Sequence, residues 1–174
     1  MLNKQTLLVI FLIIIGVLTR VIPHLDNFTA VYAIAIFSGA YIDNKKIAFL
    51  LPLSIMFFSD YLLGFLPSIP TYISFIAIVW FGFSLKKNNK FLNILIGGTI
   101  ASMIFFMITN FFVWLNSSPL DGIYYCSPTL NGLLKCYIQA IPFLWNTLFS
   151  TIIYTFILFY SYAFINIKLL STSQ

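Results

Sequence analysis

Long apolar runs separated by short polar stretches dominate this sequence. Six apolar segments can be drawn, at about 5–22, 28–42, 47–66, 71–85, 91–114 and 142–167. A straight helix needs roughly 20 residues to cross a bilayer, so the first, third, fifth and sixth segments are long enough and the second and fourth are short. The pattern predicts an all-α membrane protein, with residues 1–174 forming a single bundle of six transmembrane helices.

Composition and charge agree with this prediction. Of the 174 residues, 61% are hydrophobic and 7% are charged, whereas a soluble domain carries roughly a quarter charged residues. The net charge of +5 arises from basic residues in short loops, so it indicates topology rather than binding to nucleic acid. With the N-terminus in the cytoplasm, seven of the nine basic residues fall on the inner side: Lys4, Lys45, Lys46, Lys86, Lys87, Lys90 and Lys168. We therefore expect a multi-pass protein of the inner membrane with both termini in the cytoplasm.

The longest connection, residues 115–141, is expected to form an outer lid. Its first part is rich in turn-forming residues, and residues 133–140 are apolar enough to form a helix. Cys126 and Cys136 both lie in this loop. On an oxidising outer face they could form a disulfide, or they could be two free thiols, and the sequence leaves both readings open. Cysteine and histidine are too few for a metal site, and no cofactor is expected.

Polar residues inside the apolar segments point to a binding site. Asp60 lies in the third segment, where a carboxylate is costly and normally faces protein or water. Under the predicted topology, Asp60 lies at a similar outer depth to Asn110, Asn146 and Arg20, which come from three other segments. An outward-facing pocket with a few convergent polar groups is typical of a small-molecule site. The predicted substrate-binding residues are Arg20, His24, Asn27, Asp60, Asn110, Trp114, Tyr137 and Asn146.

Each of these residues also has a simpler interpretation. Asp60 could be a helix-packing residue, Arg20 an interface anchor and His24 a solvated loop residue. Asn110 could supply an interhelical hydrogen bond. Asn146 could do the same, and Trp114 could belong to the aromatic belt at the membrane surface. Helical spacing places Asn146 on one face with Pro142, Phe149, Ser150 and Ile153, and we expect that face to pack inside the bundle.

The catalytic inventory is sparse. The chain has one histidine, four aspartates and no glutamate, and only Asp60 lies within an apolar segment. Paired intramembrane aspartates, a zinc-protease helix, a serine-hydrolase elbow and a P-loop are all missing from the sequence. We therefore expect a protein that is not an enzyme.

Several sequence blocks match a known family. They include Arg20 to His24, Ser59-Asp60, Thr109 to Trp114, and Cys136-Tyr137 followed by Ile141 to Phe143 and Asn146-Thr147. In these blocks the chain resembles an uncharacterised bacterial family of membrane transport proteins. That family is itself similar to the substrate-binding S components of energy-coupling-factor (ECF) vitamin transporters.

The resemblance implies a six-helix bundle that binds a vitamin or cofactor precursor near the outer surface. It also implies a transmembrane scaffold subunit with two ATPase subunits as the partner. The chain departs from S components in its first segment, which lacks their Ala-x-x-x-Ala docking pattern. Small residues lie instead in the second segment, at Ala35 and Gly39.

The leading hypothesis is therefore a substrate-binding membrane component of a vitamin-like small-molecule uptake transporter. The alternative is a structural or assembly protein of similar six-helix shape, which binds proteins instead of a nutrient.

Overall fold

The computed structural model describes residues 4–85 and 90–171, with side chains placed for 5–85 and 90–165. The described residues form eight helices, one of them a 3-10 helix, Pro119–Tyr124. The seven α-helices are α1 (Lys4–Val21), α2 (Val31–Tyr41), α3 (Lys45–Leu63), α4 (Ile69–Ser84), α5 (Phe91–Asn116), α6 (Leu130–Gln139) and α7 (Ile141–Ser171). The prediction of an all-α protein is confirmed.

Each of the six apolar segments contains one of these helices. The helix expected at 133–140 is also present as α6, although it begins earlier. Thr129 is its N-cap, and the Thr129 hydroxyl accepts a hydrogen bond from the Gly132 amide at 3.1 Å. Because of this cap, the helix begins at Leu130, before the apolar run at 133–140. Lys86 and Lys87, which contribute to the predicted charge asymmetry, lie outside the described residues.

Three helices in the described ranges are long and apolar enough to cross a membrane. They are α3, α5 and the part of α7 that spans Ile141–Ile165. Gln5–Val21, Val31–Tyr41 and Ile69–Ser84 are apolar but shorter. The lengths and compositions of these three helices therefore support an association with a membrane.

Helix α2 lies at the centre of the bundle. All 11 of its residues are buried, and it packs against α1, α3, α4, α5 and α7. An uninterrupted apolar sequence forms this helix because every one of its faces meets another helix. At 1.5 Å per residue it is only about 17 Å long. Since a bilayer core is about 30 Å thick, α2 is too short to cross it unless the neighbouring helices surround its end.

The closest approach of α2 to a neighbour is a backbone contact with α4. A side chain at Gly39 would overlap the carbonyl oxygen of Val79 and lie 2.9 Å from the Cα of Gly82. A side chain at Gly82 would lie 2.6 Å from the carbonyl oxygen of Ile36. The two glycines therefore let α2 and α4 pack backbone to backbone, as small residues do between membrane helices.

The contact of α2 with α3 compensates for a proline. Pro52 lies inside α3 and has no N–H, so the carbonyl of Ala48 lacks its usual partner within the helix. The Ser38 hydroxyl of α2 lies 2.9 Å from that carbonyl oxygen and 2.8 Å from the carbonyl oxygen of Ala35. Ser38 is fully buried, and its hydroxyl is a hydrogen-bond donor within reach of the Ala48 carbonyl that Pro52 leaves unpaired.

We predict that Ser38→Ala lowers the free energy of unfolding by about 1–3 kcal/mol, because it leaves the buried Ala48 carbonyl without a donor. In a Pro52→Ala background, the restored amide at position 52 should bond Ala48, and the cost of Ser38→Ala should then shrink. Thermal unfolding of the four proteins in detergent measures this coupling. Equal costs in both backgrounds would contradict the assignment.

Candidate functional site

The strongest polar interaction in the described part of the bundle joins α1 to α3. One guanidinium nitrogen of Arg20, Nη1, lies 2.7 Å from Oδ1 of Asp60. The same nitrogen lies 2.8 Å from the Ser59 hydroxyl oxygen and 3.0 Å from the Met56 sulfur. The Arg20 side chain is 15% exposed and that of Asp60 is 6% exposed, so the ion pair is largely removed from solvent.

Helix ends place these two charges together. Arg20 lies in the last turn of α1, and Asp60 lies in the last turn of α3, which ends at Gly64. Gly64 adopts a left-handed conformation with φ 72°, and the Phe65 amide donates to the Asp60 carbonyl at 2.8 Å. This glycine cap stops the helix and turns the chain away one turn after Asp60.

A cavity of about 790 Å³ lies against the ion pair. It is at the end of the bundle where α1 and α3 finish and α2 and α4 begin. Its lining is mixed: Arg20, Val21, Ile22, Pro23, His24, Asp26, Asn27, Thr29, Tyr32, Met56, Asp60, Leu63, Phe65, Leu66, Ser68, Thr71, Phe75, Phe105 and Phe143. The volume is in the range of small-molecule sites, roughly 300–1,000 Å³.

The loop between α1 and α2 forms one wall of the cavity. Asn27 has a left-handed backbone with φ 62°, which asparagine tolerates better than most residues. The Asn27 carbonyl accepts from the Ser150 hydroxyl of α7 at 3.4 Å. The Ala30 amide donates to the Thr19 hydroxyl of α1 at 3.2 Å. These bonds hold the loop between α1 and α7 and keep it beside the ion pair.

His24 lies on the same loop with both ring nitrogens close to backbone carbonyls. Nδ1 is 2.6 Å from the carbonyl oxygen of Leu25, and Nε2 is 3.1 Å from that of Arg20. The ring is exposed and lines the cavity. The backbone contacts of His24 therefore fix the loop directly after α1.

Three aromatic side chains form the inner wall. The ring centroids of Tyr32 and Phe105 are 4.8 Å apart, those of Tyr32 and Phe75 are 5.6 Å apart, and those of Phe75 and Phe105 are 5.8 Å apart. Rings in such edge-on and stacked contacts hold one another rigidly.

The structure brings four of the predicted site residues to this cavity: Arg20, His24, Asn27 and Asp60. Asn110 lines a separate cavity of about 90 Å³. The two cavities share Asn27, Phe105 and Phe143 as lining residues. The Asn110 amide nitrogen donates to the Phe106 carbonyl at 2.8 Å, within its own helix. Asn110 is thus a neighbour of the main cavity but does not contact the ion pair.

Trp114 and Tyr137 hold the outer loop instead of lining either cavity. The Trp114 indole nitrogen donates to the Ser127 carbonyl at 2.9 Å. The Tyr137 hydroxyl donates to the Met107 carbonyl at 2.9 Å, and its ring packs against Phe106. Burial raises the pKa of Tyr137, so the hydroxyl stays protonated as a donor.

The outer loop lies beside the cavity and not over it. Its helix α6 contacts α5 and α7, and no residue between 115 and 139 lines the 790 Å³ cavity. The two open possibilities for its cysteines are resolved, because Cys126 and Cys136 form a disulfide with their Cα atoms 5.8 Å apart. The disulfide therefore fixes the loop, and the loop packs on α5 and α7.

The expected buried face of α7 is wrong. Phe149 and Ile153 are exposed, and Asn146 is half-buried and lines neither cavity. Ser150 is the buried member of the expected face, and the buried face as a whole carries hydroxyl residues and a phenylalanine: Thr147, Ser150, Thr151, Thr155 and Phe159. The threonine hydroxyls donate to carbonyls one turn earlier, at 2.6–2.9 Å. They can therefore be buried without a partner on another helix.

Sequence reasoning missed the aromatic wall. Tyr32, Phe75 and Phe105 give no signal among 20 phenylalanines and 10 tyrosines. It also missed Tyr72, whose buried hydroxyl has no hydrogen-bond partner among the described residues.

The arrangement offers recognition chemistry. Among the described residues, no group of three or more histidine, cysteine or acidic side chains comes together. The cavity instead presents an ion pair, hydroxyl groups and aromatic rings. Such a set can orient a small molecule by hydrogen bonds and ring contacts.

Fold and site together define an all-helical protein with membrane-length helices and an ion pair beside a cavity at one end. Comparison with protein families identifies the family of the chain. The model of DUF6580, a family of unknown function, matches residues 1–172, so the chain belongs to this family. Comparison with the curated proteins and with the solved structures finds no match.

We predict that Asp60→Leu destabilises the protein by about 3 kcal/mol, because it leaves the Arg20 charge largely buried and unpaired. The double variant Arg20→Met/Asp60→Leu should regain most of that loss, since two apolar side chains of similar size replace the pair. Thermal unfolding in detergent measures both. A double variant less stable than Asp60→Leu would show that the pair itself supplies the stability.

Proposed function

We propose that this protein is the substrate-binding membrane component of a small-molecule uptake transporter. In this proposal six helices, α1 to α5 and α7, cross the inner membrane, and both termini lie in the cytoplasm. A vitamin-like organic nutrient binds in the 790 Å³ cavity from the outer side. The observation that carries the proposal is the Arg20–Asp60 pair at the wall of that cavity.

The energetics of the pair support a binding role. Charged groups among apolar membrane helices are costly and mark ligand or ion pathways. A buried ion pair usually adds little net stability, because desolvation offsets the attraction between the charges. When an ion pair lines an open cavity, contacts with a bound ligand can offset the free-energy cost of removing the two charges from water.

Two observations support the orientation. Lys45, Lys46 and Lys90 lie at the end of the bundle away from the cavity, which the positive-inside rule assigns to the cytoplasm. Cys126 and Cys136 are bonded in the outer loop, and disulfides persist in oxidising compartments. Both support an outer location for the cavity end.

Energy for uptake would come from a partner. The chain contains no P-loop, so the proposal includes a transmembrane scaffold subunit with two ATPase subunits, as the resemblance to ECF S components implies. Small residues on α2 are buried inside this bundle against α4. They are therefore occupied within the protein, and the docking surface for a scaffold would be elsewhere.

The first test is ligand binding. The purified protein should carry a small organic molecule that mass spectrometry detects after denaturation. Asp60→Ala should reduce its occupancy at least about tenfold, because one hydrogen bond to a charged group contributes roughly 1.5–3 kcal/mol. Asp121→Asn is the matched control, since that carboxylate lies in the outer loop and does not line the cavity.

The result must also separate this function from a structural one. A structural or assembly protein would co-purify with other proteins and would tolerate Asp60→Asn. Absence of any bound small molecule, together with unchanged nutrient uptake in a deletion strain, would refute the transport proposal.

Orientation has its own test. After mild reduction of intact cells, Cys126 and Cys136 should react with a membrane-impermeant maleimide. A Lys46→Cys variant built in a Cys126→Ser/Cys136→Ser background should react only after the cells are broken, because position 46 is expected in the cytoplasm. Labelling of position 46 in intact cells would reverse the orientation.

A further inference from the structure

The way Arg20 and Asp60 pair leaves half of each charged group unused. All the hydrogen bonds of the Arg20 side chain pass through Nη1, and Asp60 uses only Oδ1. Within the described residues, Nη2 and Nε of Arg20 and Oδ2 of Asp60 have no partner, yet none of them is a sealed buried atom. Both side chains line the cavity, so a ligand bound there would lie beside the two charged groups.

The unused atoms form a defined pattern. Nε and Nη2 of Arg20 carry three N–H donors between them, and Oδ2 of Asp60 is an acceptor. A complementary ligand carries an acceptor directly beside a donor. An amide edge in a ring, with C=O next to N–H, has this pattern and needs only one partner for each group.

Charge on the cavity wall disfavours an anionic ligand. Arg20 and Asp60 neutralise each other, and Asp26 is a further acidic residue on the lining. A phosphate or carboxylate would therefore meet an ion pair with no surplus positive charge and a second carboxylate nearby. An anion would have to compete with Asp60 for Arg20, at a cost in desolvation.

The aromatic wall favours a flat ligand. Tyr32, Phe75 and Phe105 line the cavity and brace one another through ring contacts. Phe143 of α7, which is 44% exposed, also lines the cavity. A planar ring gains contact area against such rings without losing internal freedom.

We infer that the ligand is a planar ring compound without negative charge and with an amide-type edge, which binds that edge to Arg20 and Asp60. This inference rests on the proposed function and adds the substrate class. It excludes anionic nutrients such as phosphate esters and simple carboxylates.

Three related probes test the class by ligand-observed NMR on the protein in nanodiscs. Uracil has the amide edge, 1,3-dimethyluracil lacks the donors, and orotate adds a negative charge. Wild-type protein should bind uracil at least about tenfold more tightly than either analogue. Asp60→Asn should weaken uracil binding and strengthen orotate binding, because the Arg20 charge is no longer neutralised.

A double variant guards against misfolding of the single one. Arg20→Met/Asp60→Leu keeps the net charge of the wall, removes its donors and acceptor, and should lose the preference for uracil without gaining one for orotate. Tighter wild-type binding of orotate, or of the zwitterion L-phenylalanine, would overturn the inference, as would binding of none of the probes. The transport proposal would be unaffected by these results, because it depends on the ligand that co-purifies and on uptake.

Discussion

The burial of α2 on every side is the constraint on which the rest of the structure depends. An 11-residue helix with no exposed residue can exist in this bundle only if its neighbours approach it closely and the buried polar groups around it are hydrogen-bonded. Gly39 and Gly82 permit the approach of α4. Ser38 supplies the donor that Pro52 removes from α3. Both arrangements fix the depth of α2 relative to its neighbours.

The cavity is a consequence of that short central helix. Helix α2 begins at Val31, so the space beyond its N-terminal end is filled by a loop and not by a continuing helix. Asn27 and Ala30 tie this loop to α7 and α1. The cavity lies between the loop and the ends of α3 and α4, while the disulfide-braced outer loop covers α5 and α7. At this end of the bundle, the disulfide therefore fixes the loop on the side of α5 and α7, and the cavity lies on the side of α3 and α4.

The sequence predicted much of the fold and part of the site, for physical reasons that can be traced to individual residues. Long apolar runs locate the helices, and an aspartate within such a run points to the cavity, because a carboxylate there is costly and normally faces protein or water. Asn146 was misplaced because helical spacing alone cannot tell which face is buried. Thr147 and Thr151 occupy that face because their hydroxyls bond within the helix. Tyr32 and Phe105 were not predictable, since their meeting depends on how three helices pack.

The Arg20–Asp60 pair is best understood through what it leaves unsatisfied. If its role were to join α1 to α3, two apolar side chains would serve as well, without the cost of removing two charges from water. If its role were purely electrostatic, a two-point contact between both carboxylate oxygens and the guanidinium would be stronger. The observed single-point contact secures Nη1 with Asp60, Ser59 and Met56 and leaves the remaining donors and acceptor without a partner among the described residues, in two side chains that line the cavity. That geometry suits a pair whose remaining hydrogen bonds are completed by a ligand.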